Sequence, residues 1–302
     1  MIDMNKNPSL SILIPAYEYS FGVKRILDSV LESNLLTIKN EIEILISDDS
    51  HSDTIKQIIK SHEIQDIVKL VYVKRDNVSG IASSNWNNLL RMANGKYILF
   101  MHHDEFPYGK NFFNKLLRKI IHKPNVDIFL LRCNIKSLMK NKYRPHVFDF
   151  IKKIYFASSE SIYLRNTIGS PSCVVIKKEK CPKFDERLKW IVDLDWYYKI
   201  LNKKKLVIEF TKLNYISVNR TNSISNKIKS NVAEINNLER EIVKNDYSPF
   251  FVDTYKTSKS FMYKIFILCE SFLWYFSKIL TIPFGYFFIL DVDKKFINKN
   301  DS

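Results

Sequence analysis

Glycine-rich phosphate-binding loops are missing from this sequence, which contains neither GxGxxG nor GxxxxGK[ST]. Neither of the phosphate-binding loops that those motifs form is therefore predicted. Cysteine is scarce as well, with four residues and no CxxC pair. This pattern predicts neither a disulfide framework nor a structural zinc site, and it fits a reducing cytosol.

Long uncharged apolar runs are also lacking. Residues 261–290 are strongly apolar and aromatic, but Lys264, Glu270 and Lys278 interrupt them. A spanning helix, which needs about 18 or more apolar residues, is therefore not expected. Aromatic residues with flanking lysines favour a helix lying in the membrane interface. The alternatives are a helix packed on the rest of the protein and a dimer contact. The N-terminus has no long apolar core after a basic start, so no signal peptide is predicted.

The formal net charge is +15, from 47 Lys and Arg against 32 Asp and Glu. Such an excess favours anionic partners, namely nucleic acid, a phosphorylated substrate or an anionic membrane surface. A general enrichment in lysine along the whole chain would explain the positive charge equally well. A nucleic-acid-binding protein would concentrate its Lys and Arg on one face beside aromatic residues or carry a recognisable motif. The charge here is dispersed, so that alternative is disfavoured.

Hydrophobic periodicity predicts strands alternating with helices over the first hundred residues. The predicted strands are 10–14, 42–46, 69–73 and 97–101, and the predicted helices are 20–33, 54–62 and 85–93. This alternation predicts an α/β fold that is Rossmann-like, with a mostly parallel central sheet flanked by helices.

The rest of the chain is less regular. Strands are expected at 127–132 and 173–176, and helices at 184–201 and 227–244. Because the composition shifts near Ser223, the predicted division is a catalytic domain over 1–225 and a helical, partly apolar C-terminal region over 226–302.

Acidic residues follow two of the predicted strands, Asp48-Asp49 after the second and Asp104-Glu105 after the fourth. Ligands of such sheets bind outside the carboxyl ends of the strands. Carboxylates like Asp48 and Asp49 can accept hydrogen bonds from a base imide or a ribose hydroxyl. Asp104, assisted by His103, offers ligands that suit Mg²⁺ or Mn²⁺. The competing interpretation is helix capping or a solvated turn.

Two further carboxylates, Asp193 and Asp195, stand at the start of the predicted helix near residue 193. A general base that deprotonates an acceptor hydroxyl must be a carboxylate or a histidine in a pocket. Asp193 is the first candidate and Asp195 the second. The alternative is a surface helix start, where carboxylates are also favourable.

The order of these motifs resembles the family-2 glycosyltransferases with the GT-A fold over about residues 8–225. The resemblance is carried by Ile14-Pro15-Ala16-Tyr17, Ser47-Asp48-Asp49-Ser50 with Asp53, Asn77 and Gly80, Ala93-Asn94-Gly95-Lys96-Tyr97-Ile98 and His103-Asp104. The later Gly169-Ser170-Pro171-Ser172 and Phe184-Asp185-Glu186-Arg187 with Trp190 and Asp193-Leu194-Asp195-Trp196 resemble members that build bacterial surface polysaccharides.

The resemblance implies an inverting transfer of a sugar from a nucleotide-diphosphate donor, with UDP the expected nucleotide, to a hydroxyl of a saccharide or lipid-linked saccharide. The residues expected to bind the nucleotide are Pro15, Tyr17, Asp48, Asp49 and Gly80. Asp104 and His103 would bind a Mn²⁺ or Mg²⁺ ion, and Asp193 would be the catalytic base, with Asp195 as the second candidate. Arg220 and Ser170 would contact the diphosphate or the acceptor. The apolar C-terminal segment would bring a cytoplasmic enzyme to the inner face of the membrane.

One departure leaves the metal open, since His103 stands where a first Asp of the D-x-D region is expected. A catalytically degenerate scaffold is therefore kept as an alternative. A nucleotidyltransferase is disfavoured, because the loop after the first strand, Pro15-Ala16-Tyr17-Glu18-Tyr19, is neither glycine-rich nor basic.

Overall fold

The computed structural model describes residues 7–33, 39–76, 81–136, 142–155, 162, 166–203, 205–218, 231–247, 272, 275–276 and 290–291. The strands in this part of the chain are β1 Leu10–Ala16, β2 Ile42–Asp48, β3 Lys69–Lys74, β4 Tyr97–Phe100, β5 Glu105–Tyr108, β6 Ile128–Lys136, β7 Lys142–Pro145, β8 Val174–Lys177, β9 Ile208–Ser217 and β10 Leu290–Asp291. The helices are α1 Ser20–Leu31, α2 Thr54–Ser61, α3 Ala82–Met92, α4 Phe112–His122, α5 Asp149–Tyr155, α6 Val192–Leu201 and α7 Val232–Tyr247.

These ten strands form one sheet. Eight of them follow the order β3-β2-β1-β4-β8-β6-β7-β10, and the other two, β5 and β9, pair with each other off this path. Strands β1 to β4 pair only in parallel with one another, and β9 adds a further parallel pair with β6. The predicted α/β class, with a mostly parallel central sheet flanked by helices, is confirmed. Every residue of β1 and β2 is buried, as expected for parallel strands that are covered on both faces.

The second half of the sheet contains antiparallel pairs that the sequence did not indicate. Strand β8 lies between β4 and β6 and is antiparallel to both, and β5 is antiparallel to β9. Helix α6 begins only at Val192, because residues 185–191 form turns instead of the predicted first turns of helix.

The C-terminal region is described mainly through α7, which starts five residues after the predicted helix start and ends three residues later than predicted. No helix in the described ranges is long and apolar enough to cross a membrane. The apolar segment 261–290 lies almost wholly outside those ranges, so its attachment to the membrane interface stays a prediction. The division of domains near residue 225 stays a prediction too.

A buried carboxylate fixes the amino ends of the parallel strands. Glu43 in β2 has no exposed surface, and its Oε1 accepts hydrogen bonds from Ser11 Oγ at 2.7 Å and from the backbone N–H of Asn94 at 2.6 Å. The Lys69 ammonium lies 3.1 Å from the other oxygen. Burial raises the pKa of Glu43, but the hydrogen bonds and the lysine outweigh it and hold the pKa below its usual range.

The Asn94-Gly95 turn fits into this network, because the Gly95 N–H also donates to Ser11 Oγ at 2.7 Å. A Cβ on Gly95 would lie 2.5 Å from the Ser11 backbone nitrogen. The Ala93-Asn94-Gly95 motif therefore holds β1, β2 and β4 in register.

Glu43→Ala should lower the free energy of unfolding by about 2–4 kcal/mol, because buried donors of Ser11 and the Asn94 turn lose their acceptor. Urea denaturation followed by circular dichroism measures this. The exposed carboxylate Glu63 supplies the control, and Glu63→Ala should change stability by about 0.5 kcal/mol or less. Equal effects of the two substitutions would contradict the structural role of Glu43.

Candidate active site

The carboxyl ends of β1, β2 and β4 meet at one edge of the sheet. Ala16 is paired with Asp48, and the N–H of Asp49 donates to the Ala16 carbonyl at 3.0 Å. On the other side, the Met101 N–H donates to the Leu13 carbonyl at 2.8 Å. The turns that follow these three strands therefore lie side by side.

The two carboxylates after β2 have different surroundings. Asp48 is fully buried, with Oδ1 accepting from the Ser50 N–H at 2.9 Å and Oδ2 accepting from the Tyr72 hydroxyl at 2.8 Å. Lys74 lies 3.7 Å from Oδ2. Both carboxylate oxygens of Asp48 therefore stabilise the turn that follows β2.

Asp49 is 6% exposed and pairs with the guanidinium of Arg75, whose Nη1 lies 3.2 Å from the carboxylate. Burial raises the pKa of Asp49, with the Arg75 charge opposing and the Asp48 charge adding to this effect. Arg75 also donates to Ser84 Oγ at 3.2 Å. Arg75 was not among the predicted site residues, although it follows β3 at the same edge of the sheet.

The loop after β1 presents an aromatic side chain to solvent. Tyr17 is 40% exposed and meets the His51 ring edge-on at 6.4 Å. Glu18 next to it adopts a left-handed φ of 47°, and its backbone N–H donates to Ser50 Oγ at 2.7 Å. Its carboxylate in turn accepts from the hydroxyl of Ser52 at 2.9 Å, which ties the two loops together. The predicted nucleotide residue Gly80 lies outside the described residues, as does Arg220.

The turn after β4 gathers a group of possible metal ligands. One ligand atom each of His102, Asp104 and Glu105 lies within 4.8 Å of the others. The imidazole of His103 lies elsewhere, with Nδ1 3.1 Å from the Pro15 carbonyl oxygen. Asp104 is therefore brought together with His102 and Glu105, and this group does not include His103.

His102 is held as a neutral imidazole. It stacks on Trp86 with ring centroids 4.9 Å apart, and its Nε2 is buried without a hydrogen-bond partner among the described residues. Burial lowers the pKa of His102 to about 4, against the opposing charge of Asp104. Its other nitrogen, Nδ1, lies 3.5 Å from Glu105 Oε2, and neutral imidazole is the form that binds metals.

Glu105 is 3% exposed and accepts a hydrogen bond from Ser172 Oγ at 2.5 Å. Burial and then the Asp104 charge raise the pKa of Glu105 well above its usual range. A divalent cation bound here would offset the repulsion between the negative charges of Asp104 and Glu105. One imidazole with two carboxylates fits Mn²⁺ better than Mg²⁺, because Mg²⁺ prefers oxygen ligands alone.

The two carboxylates of α6 are distinguished by their partners. Asp195 is 1% exposed and forms an ion pair with Lys199, whose Nζ lies 2.7 Å from Oδ2. Asp193 has a buried Oδ1 that finds no hydrogen-bond partner in the described ranges, and burial raises the pKa of Asp193 to about 7. Asp193 thus has the properties of a proton acceptor, whereas Asp195 is engaged by a lysine.

A tyrosine one turn along α6 links Asp193 to the metal-ligand group. The Tyr197 hydroxyl donates to the Gly169 carbonyl at 2.9 Å, in the turn that also carries Ser170 and Ser172. Burial, then the charges of Asp193, Cys173 and Glu105, raise the pKa of Tyr197. The charges of Asp193 and Glu105 therefore act on the same phenol.

Ser170, which was predicted to contact the diphosphate or the acceptor, lies in the turn after Gly169. Its Oγ is 3.2 Å from the Tyr215 hydroxyl. It also hydrogen-bonds Glu105, which lowers the pKa of that carboxyl. Gly169 before it has φ of +105°, and a Cβ there would lie 3.0 Å from Cys133 Sγ. The Gly169-Ser170 turn is therefore fixed by packing beneath the site.

Aromatic packing connects the metal-ligand turn to α6. Trp86, which stacks on His102, meets Phe184 edge-on at 4.8 Å, and Phe184 stacks on Trp196 of α6 at 4.8 Å. Asn87 holds Phe184 in place, accepting from its N–H and donating to its carbonyl, both at 2.9 Å. The carboxylates of the metal-ligand turn and those of α6 are therefore connected through packed residues of the core.

The fold and the carboxylates at its carboxyl edge define a protein of the GT-A type. The family model "Glycosyl transferase family 2" matches residues 11–184, which is more than half of the chain. The chain belongs to this family.

Curated proteins include a relative from Campylobacter jejuni subsp. jejuni serotype O:2, named GalNAc(5)-diNAcBac-PP-undecaprenol beta-1,3-glucosyltransferase. It is 24% identical over 98 residues, which are 32% of this chain and 30% of that protein. The match thus spans under a third of the relative's length.

Solved structures share the fold. Residues 1–349 of S. aureus TarS in complex with UDP-GlcNAc align with a TM-score of 0.53 and 18% identity, covering 71% of this chain and 60% of that one. The mannosyltransferase PcManGT from Pyrobaculum calidifontis, in complex with GDP-Man and Mn²⁺, aligns with a TM-score of 0.50 and 13% identity, covering 74% and 60%.

The histidine that takes part in metal binding can be identified by substitution. His102→Asn should weaken Mn²⁺ binding at least about tenfold, because a ligand is lost, whereas His103→Asn should leave binding within about twofold. Titration of free Mn²⁺ by electron paramagnetic resonance measures both. The reverse ranking would restore His103 as the ligand and contradict the grouping with His102.

Proposed function

We propose that the chain is a glycosyltransferase that moves a sugar from a nucleotide-diphosphate donor to an acceptor hydroxyl, with inversion at the anomeric carbon. The observation that carries the proposal is the environment of Asp193. Its Oδ1 is buried without a hydrogen-bond partner among the described residues, its pKa is raised to about 7, and its charge acts on the same phenol, Tyr197, as that of Glu105 of the metal-ligand group. A proton acceptor for the acceptor hydroxyl and a cation site for the diphosphate are the two elements that a direct displacement uses.

The donor nucleotide is assigned to the edge formed by the loops after β1, β2 and β3. The Asp49–Arg75 pair offers an acceptor and a donor side by side, which suits the imide and carbonyl groups of a uracil. Tyr17 presents an exposed ring on which a base can stack. These features support UDP as the nucleotide, with Pro15 supplying the backbone beneath it and Asp48 holding the turn.

The reaction follows from the protein's own groups. Ionised Asp193 accepts the proton of the acceptor hydroxyl, and that oxygen forms a bond to the anomeric carbon. The bond from this carbon to the diphosphate oxygen breaks at the same time, and the nucleoside diphosphate leaves with the electron pair. His102, Asp104 and Glu105 would hold Mn²⁺ or Mg²⁺, which when bound neutralises charge on the diphosphate.

The acceptor is proposed to be a saccharide, free or lipid-linked, in the synthesis of a bacterial surface polysaccharide. The Campylobacter relative carries an undecaprenol diphosphate saccharide in its name, which supports the lipid-linked form. The net charge of +15 would draw a cytoplasmic protein to the anionic inner face of the membrane. The membrane surface is therefore proposed as a partner.

Asp193→Asn should reduce sugar transfer by roughly 10²–10⁴-fold while leaving nucleoside diphosphate binding unchanged, because only the proton acceptor is lost. Transfer to a lipid-linked saccharide is measured with UDP-, GDP- and dTDP-sugars, and binding by thermal shift. Asp195→Asn is the matched control. It should keep transfer but lower thermal stability, since Lys199 loses its charged partner at 2.7 Å and is left with Asp185 at 3.9 Å. An inactive Asp195→Asn beside an active Asp193→Asn would assign the base to Asp195.

The transfer rate should depend on pH through Asp193. Because burial raises the pKa of Asp193 to about 7, the ionised base predominates above that pH. The rate constant kcat should therefore fall as the pH drops below about 7, by up to tenfold per pH unit. Rates measured at saturating donor between about pH 5.5 and 8.5 test this. A profile that stays flat down to the acidic end would exclude Asp193 as the titrating base.

A further inference from the structure

A carboxylate from outside the family-matched segment contacts the loop that leads into α6. Glu239 of α7 is only 4% exposed. Its Oε1 accepts from the backbone N–H of Lys189 at 2.6 Å, and its Oε2 accepts from those of Trp190 and Ile191, both at 2.9 Å. Three consecutive backbone donors thus converge on one side chain.

These donors lie at the amino end of the helix that carries Asp193. Ile191 is the N-cap residue of α6, and no side chain of its own segment caps that helix end. The first N–H groups of a helix have no partner within it, and the helix dipole places partial positive charge there. Glu239 accepts from one of these helix-end donors, the N–H of the N-cap residue Ile191, and from the two residues that lead into the helix, Lys189 and Trp190. Hydrogen bonds to a carboxylate are stronger than neutral ones.

A second contact ties α7 to the same loop. The Arg187 guanidinium bonds Asp185 within the loop, with Nε 2.9 Å from Oδ1, and it also bonds Asp246 of α7. Between these contacts Val243 is 2% exposed. Glu239, Val243 and Asp246 follow the i, i+4, i+7 spacing of a single helix face. The face of α7 that meets the loop therefore holds it at two points around a buried apolar residue.

We propose that Glu239 is a positioning residue for the catalytic base. By fixing the backbone of residues 189–191, it sets where α6 begins and hence where Asp193, two residues later, presents its carboxylate. The inference rests on the proposed role of Asp193. It makes α7 part of the catalytic unit and places the base under the control of the C-terminal region.

Glu239→Ala is the direct test, with Glu241→Gln as the control, because Glu241 lies on the same helix with its side chain 64% exposed. Glu239→Ala should lower kcat by about tenfold to a hundredfold, since a small displacement of a reacting group has that effect. The KM for the nucleotide-sugar and the Kd for the nucleoside diphosphate should stay within about twofold, because the nucleotide edge is untouched. Glu239→Gln, which keeps one acceptor oxygen, should lie between Glu239→Ala and the wild type, and Glu241→Gln should match the wild type.

Asp246→Asn provides a second variant in case Glu239→Ala does not fold. It releases Arg187 from α7 at a partly exposed position, with the Asp246 side chain 36% exposed, and it should lower kcat in the same direction by a smaller factor. A folded Glu239→Ala with wild-type kcat would overturn the proposal. So would a joint fall of kcat, nucleotide affinity and Tm, which indicates general destabilisation. Wild-type kcat in both Glu239→Gln and Asp246→Asn would overturn it as well. A wild-type protein without transferase activity would instead contradict the proposed function.

Discussion

The parallel pairing of β1 with β2 on one side and β4 on the other is the constraint on which the site depends. Strand β1 is buried along its whole length, so the ladder to its neighbours is the available partner for its backbone groups. A slip of one residue would turn the buried side chains of these strands to the opposite face. The observed register brings Ala16 beside Asp48 and Leu13 beside Phe100, and the loops that carry the polar groups emerge together.

Two mechanisms keep that edge in place. At the amino ends of the strands, Glu43 gathers donors from Ser11 and the Asn94 turn, so polar groups there are satisfied without water. Beneath the carboxyl edge, the stack from His102 through Trp86 and Phe184 to Trp196 joins the metal-ligand turn to α6. The N-terminal sheet and the helix with the candidate base are distant in sequence, yet they share one packed core.

The sequence predicted the N-terminal fold well, because fully buried parallel strands are continuous apolar runs and their ends are marked by Asp48-Asp49 and Asp104-Glu105. It could not predict which histidine joins Asp104. Strand β4 ends at Phe100 and residues 103–104 form a turn, so the alternation of faces along a strand no longer applies. Glu239 was missed because its contacts cross about fifty residues of sequence. A single carboxylate on a polar amphipathic helix gives no local sign of such a partner.

The anchoring of the Lys189–Ile191 backbone by α7 bears on how this protein can be recombined with others of its family. The family-matched segment ends at residue 184, before both Asp193 and the carboxylate of Glu239 that holds the residues leading into its helix. A chimera joined at that border would combine the N-terminal sheet of one parent with the loop, α6 and α7 of the other. Because Glu239 and Asp246 lie on α7, the loop that leads into α6 and α7 itself have to come from the same parent if these contacts are to be kept.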